Sequence, residues 1–181
     1  MSVTQENLQS FQTRIAERLR LAGEQDLSVS WLALKINGLN CLFPLAQANE
    51  IMAATRIIRV PYVKSWFVGA VSARGRIFGV ADLADYLAQE EGQKTTPTER
   101  PISLVECTLI GLNAELNLNC VLLVNKVLGL RTSQSFAHHE PAASGAPACF
   151  GLLYRDVAGI AWQEIDLQNL SLSPNFLSIS A

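Results

Sequence analysis

The run GAVSARGRIFGVADLADYL, Gly69 to Leu87, decides how the chain is read. It predicts a strand, a tight turn at Arg74-Gly75-Arg76, a second strand and a helix beginning after Asp82. Asp82 suits the N-cap, because its carboxylate can accept the first free amides of a helix Leu83–Gln89. Arg74 sits at the tip of an otherwise apolar hairpin, where a core has no use for it. A guanidinium fork displayed on a rigid β scaffold suits recognition of a partner surface, and loops on such scaffolds often carry binding residues.

Working back toward the N-terminus, Leu8, Phe11, Ile15 and Leu19 recur at helical spacing within residues 5–24, with Arg14, Glu17, Arg18 and Arg20 between them. An amphipathic helix is expected there, with Gly23 as its stop. From Ser28 the pattern changes to β. Trp31–Ile36 and Leu39–Phe43 flank Asn37-Gly38, a strong hairpin signal because both residues tolerate positive φ. Pro44 is expected to open a short helix, Leu45–Ala53, and Ile57–Val60 to be extended.

Toward the C-terminus, residues 90–101 are polar, carry two prolines and read as a linker between two halves. Strands are expected at Ile102–Ile110, Asn119–Asn125 and Val127–Leu130. Residues 133–148 read as a long irregular loop. A last hairpin, Cys149–Tyr154 and Val157–Trp162, is expected to turn at Arg155-Asp156. Asp166 suits the cap of a final helical turn, Leu167–Leu170, and residues 173–181 read as a mobile tail. Many short strands with Gly and Pro turns suggest small barrels.

The 181 residues suffice for one ordinary domain or two very small ones. Hydrophobic residues make up 49% and charged residues 17%, which favours a filled core over disorder. A net charge of −2 leaves no basic stripe for a phosphate backbone, so nucleic-acid binding is not expected. No apolar run approaches the roughly 20 residues of a membrane helix, so no membrane insertion is expected. The start MSVTQENLQSF lacks the features of a secretory signal.

Cys41, Cys107, Cys120 and Cys149 form no C-x-x-C pair and sit in or beside apolar runs. They read as buried free thiols of a reduced, cytoplasmic protein. The two histidines, His138 and His139, are adjacent with only Glu140 near, too few ligands for a metal. No phosphate loop or nucleophile elbow is present. No cofactor and no catalysis are therefore expected, and a small β-barrel enzyme or ligand-binding protein is the weaker alternative. Trp31, Trp66 and Trp162 read as core anchors.

The hairpin resembles the signature of the CheW-like family, G-x-x-N-x-R-G-x-x-x-P-V-x-D-L. Gly69, Arg74, Gly75, Val80, Asp82 and Leu83 match, while Ser72 and Gly79 replace the Asn and Pro. Cys41–Ile51 resembles the family's Y-x-I-x-x-x-x-V-x-E-I, with Ala48 in place of Val and with Glu50 and Ile51 matching. Cys120–Leu130 resembles V-x-L-V-V-D-x-V-x-x-V, with Asn125 in place of Asp. The likeness spans about residues 30–172.

The resemblance implies a mostly β fold of two five-stranded barrels over a shared core, spanning 28–172, after an N-terminal helix within 1–27. It implies an adaptor that joins the regulatory domain of a CheA-type histidine kinase to the cytoplasmic tip of a methyl-accepting chemoreceptor. The receptor is implied to lie between the barrels, at Ala48, Glu50, Gly69, Arg74 and Gly75. The N-terminal helix and the C-terminal run most resemble the pilus branch of the family, which governs twitching motility. A flagellar adaptor is the alternative within the family.

Overall fold

The computed structural model describes residues 30–53, 56–92 and 108–181. The expected helix within 5–24 and the segment 93–107, including Cys107, lie outside them. The strands are β1 (Ser30–Ile36), β2 (Leu39–Pro44), β3 (Ala48–Ala53), β4 (Phe67–Ala73) and β5 (Arg76–Asp82), followed by helix α1 (Leu83–Glu90). Then come β6 (Thr108–Leu112), β7 (Cys120–Val124), β8 (Lys126–Thr132), β9 (Phe136–Glu140), β10 (Phe150–Asp156) and β11 (Ala161–Ile165). Two short helices, α2 (Leu167–Leu172) and α3 (Pro174–Leu177), end the chain.

These strands form a six-stranded sheet, β8-β1-β2-β11-β10-β9, and a five-stranded sheet, β3-β6-β7-β5-β4. Each draws strands from both sides of residue 95, so the sheets are not the two sequence halves. The chain passes between sheets at residues 45–47, after β2, and at Asn125, after β7. Both passages are pinned by side chains. Gln47 accepts from the Leu167 amide (2.8 Å) and donates to Asp166 (3.3 Å). Asn125 accepts from the Asn37 amide in the β1–β2 turn (2.6 Å).

The alternation along β1 shows how the layers are filled. Leu32, Leu34 and Ile36 enter a core shared with Trp66, Leu83, Tyr86, Ile110, Leu122, Leu167 and Phe176 of the other elements. Trp31 and Ala33 point the other way, into a private cluster of the six-stranded sheet with Leu42 and Trp162. Val71, Val80, Leu109, Val121 and Leu123 form the matching cluster of the five-stranded sheet. The period of two in a strand sends successive residues to opposite faces. The expected tryptophan anchors are all buried.

The five-stranded ladder does not close into a barrel. One antiparallel bridge, Ile58 to Ala70, ties the segment after β3 to the far edge strand β4. It carries two backbone hydrogen bonds of 2.8 Å each.

Both expected hairpins form, with positive φ at Asn37 and Gly38 and at Arg74 and Gly75. Asp82 and Asp166 cap α1 and α2, each accepting from two backbone amides.

Four local expectations are corrected. Leu45–Ala53 is not a helix: one turn after Pro44 leads into β3, which pairs antiparallel with β6. Residues 133–148 are not all loop: β9 pairs with β10, and Phe136 packs against Trp31 and Tyr154. The last turn lies at Val157–Ile160, where the Asp156 carboxylate accepts from the Ala158 and Ile160 amides and from Trp162 Nε1. The tail is packed rather than free. Phe176 is 3% exposed and stacks on Trp66, and Ser180 bridges to Val63.

Candidate functional site

The two sheets leave a groove where their edge strands face each other. Leu130 on β8 stands opposite Leu32, and Ile51 on β3 stands opposite Ile110. Residues opposite one another in an antiparallel pair share a face. Leu32 and Ile110 belong to the shared core, so Leu130 and Ile51 occupy core-facing positions at the open edge. They are 62% and 54% exposed. Leu45 and Ala48 complete an apolar cavity of about 320 Å³, with Asn49 and Glu50 at its rim.

Glu50 links this groove to the β4–β5 hairpin. The Arg74 guanidinium lies 2.9 Å from Glu50 Oε2, with side-chain exposures of 80% and 22% respectively. The contact brings opposite charges together outside hydrogen-bond geometry: among the described residues, Oε2 accepts no hydrogen bond. Gly75 completes the turn, where an added Cβ would meet open space.

Ala48, Glu50 and Arg74 are thus gathered at one place, with Gly75 beside Arg74. Gly69 is not part of that surface. It is buried, with φ +147°, beneath the segment that bridges to β4. A Cβ there would collide with the Ile58 carbonyl and stand 3.0 Å from the Arg59 Cα. Its missing side chain admits the closing bridge, so the expectation that it lines a groove is corrected. Gly79, at the family's Pro position, donates its amide to the Asn119 carbonyl (3.1 Å), a bond that Pro could not make.

Sequence reasoning singled out the polar rim and missed the apolar mouth, Leu45 and Leu130. The available signal was a large apolar residue on an edge strand, legible only once the strand order is known.

Among the described residues, the remaining chemistry-bearing groups do not assemble. His138 and His139 lie on β9 instead of in a loop, and as neighbours on a strand they point to opposite faces. His139 packs on Tyr154 at 5.5 Å between ring centres. Among the described residues, no group of three or more His, Cys, Asp or Glu could hold a metal ion. Cys41, Cys120 and Cys149 are buried and free, and burial pushes each thiol up to about 12. No helix among the described residues is long and apolar enough to cross a membrane.

The sequence profile of the CheW-like domain matches residues 30–166. Protein PilI of Pseudomonas aeruginosa is 24% identical over 144 residues, which cover 75% of this chain and 74% of that one. The crystal structure of scaffolding protein TtCheW from Thermoanaerobacter tengcongensis superposes with a TM-score of 0.57 at 14% identity. That likeness covers 76% of this chain and 88% of the other, and it is a likeness of fold.

Proposed function

Because the chain belongs to the CheW-like family of scaffold adaptors, we propose that it couples a methyl-accepting receptor to a CheA-type histidine kinase, without catalysis of its own. The observation that carries this reading is the apolar groove between the sheets, bordered by the Glu50–Arg74 pair. An amphipathic helix lays its apolar face into such a groove. The cytoplasmic tip of a receptor is a helical hairpin of that kind. Ala48 would widen the groove relative to the family's Val, and Arg74 would bind polar groups flanking the apolar face.

The kinase regulatory domain would take sheet edges away from the groove. A transient signalling contact of this sort buries less than the roughly 1,600 Å² of a standard interface, so affinity near the micromolar range is expected. The match to PilI across about three quarters of both chains favours the pilus branch and control of twitching motility. The adaptor would then work in the cytoplasm, at receptor arrays.

Calorimetry on wild type and Leu130→Asp tests this reading, with a receptor hairpin and the kinase regulatory domain as titrants. The variant should lose receptor binding and keep kinase binding. Equal receptor binding by both proteins would remove the groove from the reading. Failure of wild type to bind the kinase domain would remove the adaptor role.

A further inference from the structure

We propose that an aromatic cavity in the six-stranded sheet binds a small methylated ammonium cation, of the class that choline represents, against the face of Trp31.

Strand alternation assembles one layer on the inner side of this sheet. Trp162 and Glu164, two apart on β11, share a face. Tyr154 stands opposite Trp162, and Trp31 stands opposite Arg131. Within the layer each tryptophan is held by a carboxylate. Trp162 Nε1 donates to Asp156 (3.1 Å) and Trp31 Nε1 donates to Glu164 (2.7 Å). At Trp162 a cation completes the set: the Arg131 guanidinium lies over the ring, 5.3 Å from its centre, and attracts Asp156. At Trp31 the third member is missing. Among the described residues Glu164 makes no salt bridge, and no Lys or Arg lies over the Trp31 ring.

A cavity of about 250 Å³ adjoins Trp31 instead, walled by Phe136, Tyr154 and His139. Phe136 stands edge-on to Trp31 at 5.6 Å, Tyr154 is tilted 59° from it at 4.9 Å, and His139 packs on Tyr154. The rings thus meet at angles rather than stacking flat. Trp31 is buried at one wall, so a cation on its face is largely sheltered from water. The ring quadrupole attracts such a cation, most strongly for Trp and more so where water is excluded.

Glu164 supplies the matching charge. Gly151 makes room for it, since an added Cβ there would stand 2.5 Å from Oε2. Its field reaches the cavity wall: burial, and then the Glu164 charge, push the Tyr154 hydroxyl up to about 12. The volume falls below the roughly 300–1,000 Å³ of sites for drug-sized ligands, which suits a compact headgroup. A methylated ammonium also brings no N–H groups that apolar walls would leave unsatisfied.

The test is NMR on the full chain, titrated with choline and, separately, with its uncharged isostere, in which a tert-butyl group replaces the trimethylammonium. Choline at millimolar concentrations should shift the Trp31 indole N–H and the Phe136 and Tyr154 ring signals saturably. The Trp66 indole, in the core shared by the two sheets, should not move. The isostere should bind at least about tenfold more weakly. Phe136→Leu keeps apolar bulk without the ring and should weaken choline binding about two- to fivefold. An unchanged Trp66 signal in that variant shows that the core is intact. Equal binding of choline and isostere would overturn the proposal and leave a plain apolar cavity. So would shifts that never saturate, shifts that bypass Trp31, or undiminished binding by Phe136→Leu with its core intact.

Discussion

Arg74, at the tip of the β4–β5 hairpin, lies 2.9 Å from Glu50 on β3, although β3 and β4 are opposite edges of the same sheet. The sheet curls far enough to bring the hairpin tip over β3 without closing, and this places an exposed cation over a partly buried carboxylate at the rim of the apolar groove. Arg74 is 80% exposed, so solvent screens its pairing with Glu50, and a pair screened in this way contributes about 0–1 kcal/mol. The pair is therefore better suited to exchange partners than to hold the fold.

Arg74→Ala should change the unfolding free energy by less than about 1 kcal/mol. It should weaken receptor binding by about 1–3 kcal/mol, the scale of a hydrogen bond to a charged group, and leave kinase binding intact. Urea unfolding and calorimetry on the same preparation check both halves. Strong destabilisation, or unchanged receptor binding, would show that Arg74 has another role.

Gly69→Ala should destabilise, because its Cβ meets the Ile58 carbonyl and its φ of +147° suits only glycine. Backbone strain of this kind costs about 1–3 kcal/mol, and Gly69→Asp should cost more. Receptor binding should fall only as the folded fraction falls. Hydrogen exchange at the Ile58 and Ala70 amides is the direct measurement, since both should lose protection. Full stability of Gly69→Ala would refute the closing role.

Phe176→Ala should cost about 3–5 kcal/mol, as for other buried aromatics. The ring is stacked on Trp66 at 5.1 Å and meets Tyr86 edge-on at 5.0 Å. Removal of residues 174–181 should cost at least as much. A thermal midpoint unmoved by either change would show that the C-terminal packing contributes nothing.

Asp82 gives a pH prediction. Burial raises its carboxyl above the ordinary 3.8, against the opposing hydrogen bonds from the Asp85 and Ala84 amides. A raised value in the folded state means that the unfolded chain ionises first. The stability tied to this group is therefore complete below 3.8 and is lost as pH rises through the folded value. Asp82→Asn keeps a capping oxygen without the charge. Its stability relative to wild type should rise between pH 3 and pH 7 in urea titrations, whereas Asp82→Ala should be about 1 kcal/mol less stable for want of a cap. A constant Asn-to-Asp difference across that range would count against the burial argument.

Features set by neighbouring residues were legible in the sequence. Asn37-Gly38 and Arg74-Gly75 adopt the positive φ their hairpins need, and Asp82 and Asp166 cap the helices they precede. The misreadings share a cause in distant partners. Residues 45–53 are rich in helix formers, yet Ile51 is claimed by Ile110 across the sheet. Residues 136–140 look polar because β9 is an edge strand with much of its surface in water. Phe176 is the one large aromatic in a run of small residues, and its burial depends on Trp66. At the site, Glu50 and Arg74 could be named from their motifs. The role of Gly69 could not, because the carbonyl that needs its space belongs to Ile58.

The interleaving of the two sheets also bears on how the protein is made. β2 receives its parallel neighbour β11 only after residues 161–165 have left the ribosome. At about 5–20 residues per second, the roughly 120 residues between them take about 6–24 seconds to synthesise. Throughout that interval the early β1–β2 hairpin carries unpaired edges and the bare apolar side chains Trp31, Leu42 and Phe43. Ribosomes paused before residues 161–165 emerge would thus display a nascent chain prone to self-association, and emergence of β11 is what ends the exposure.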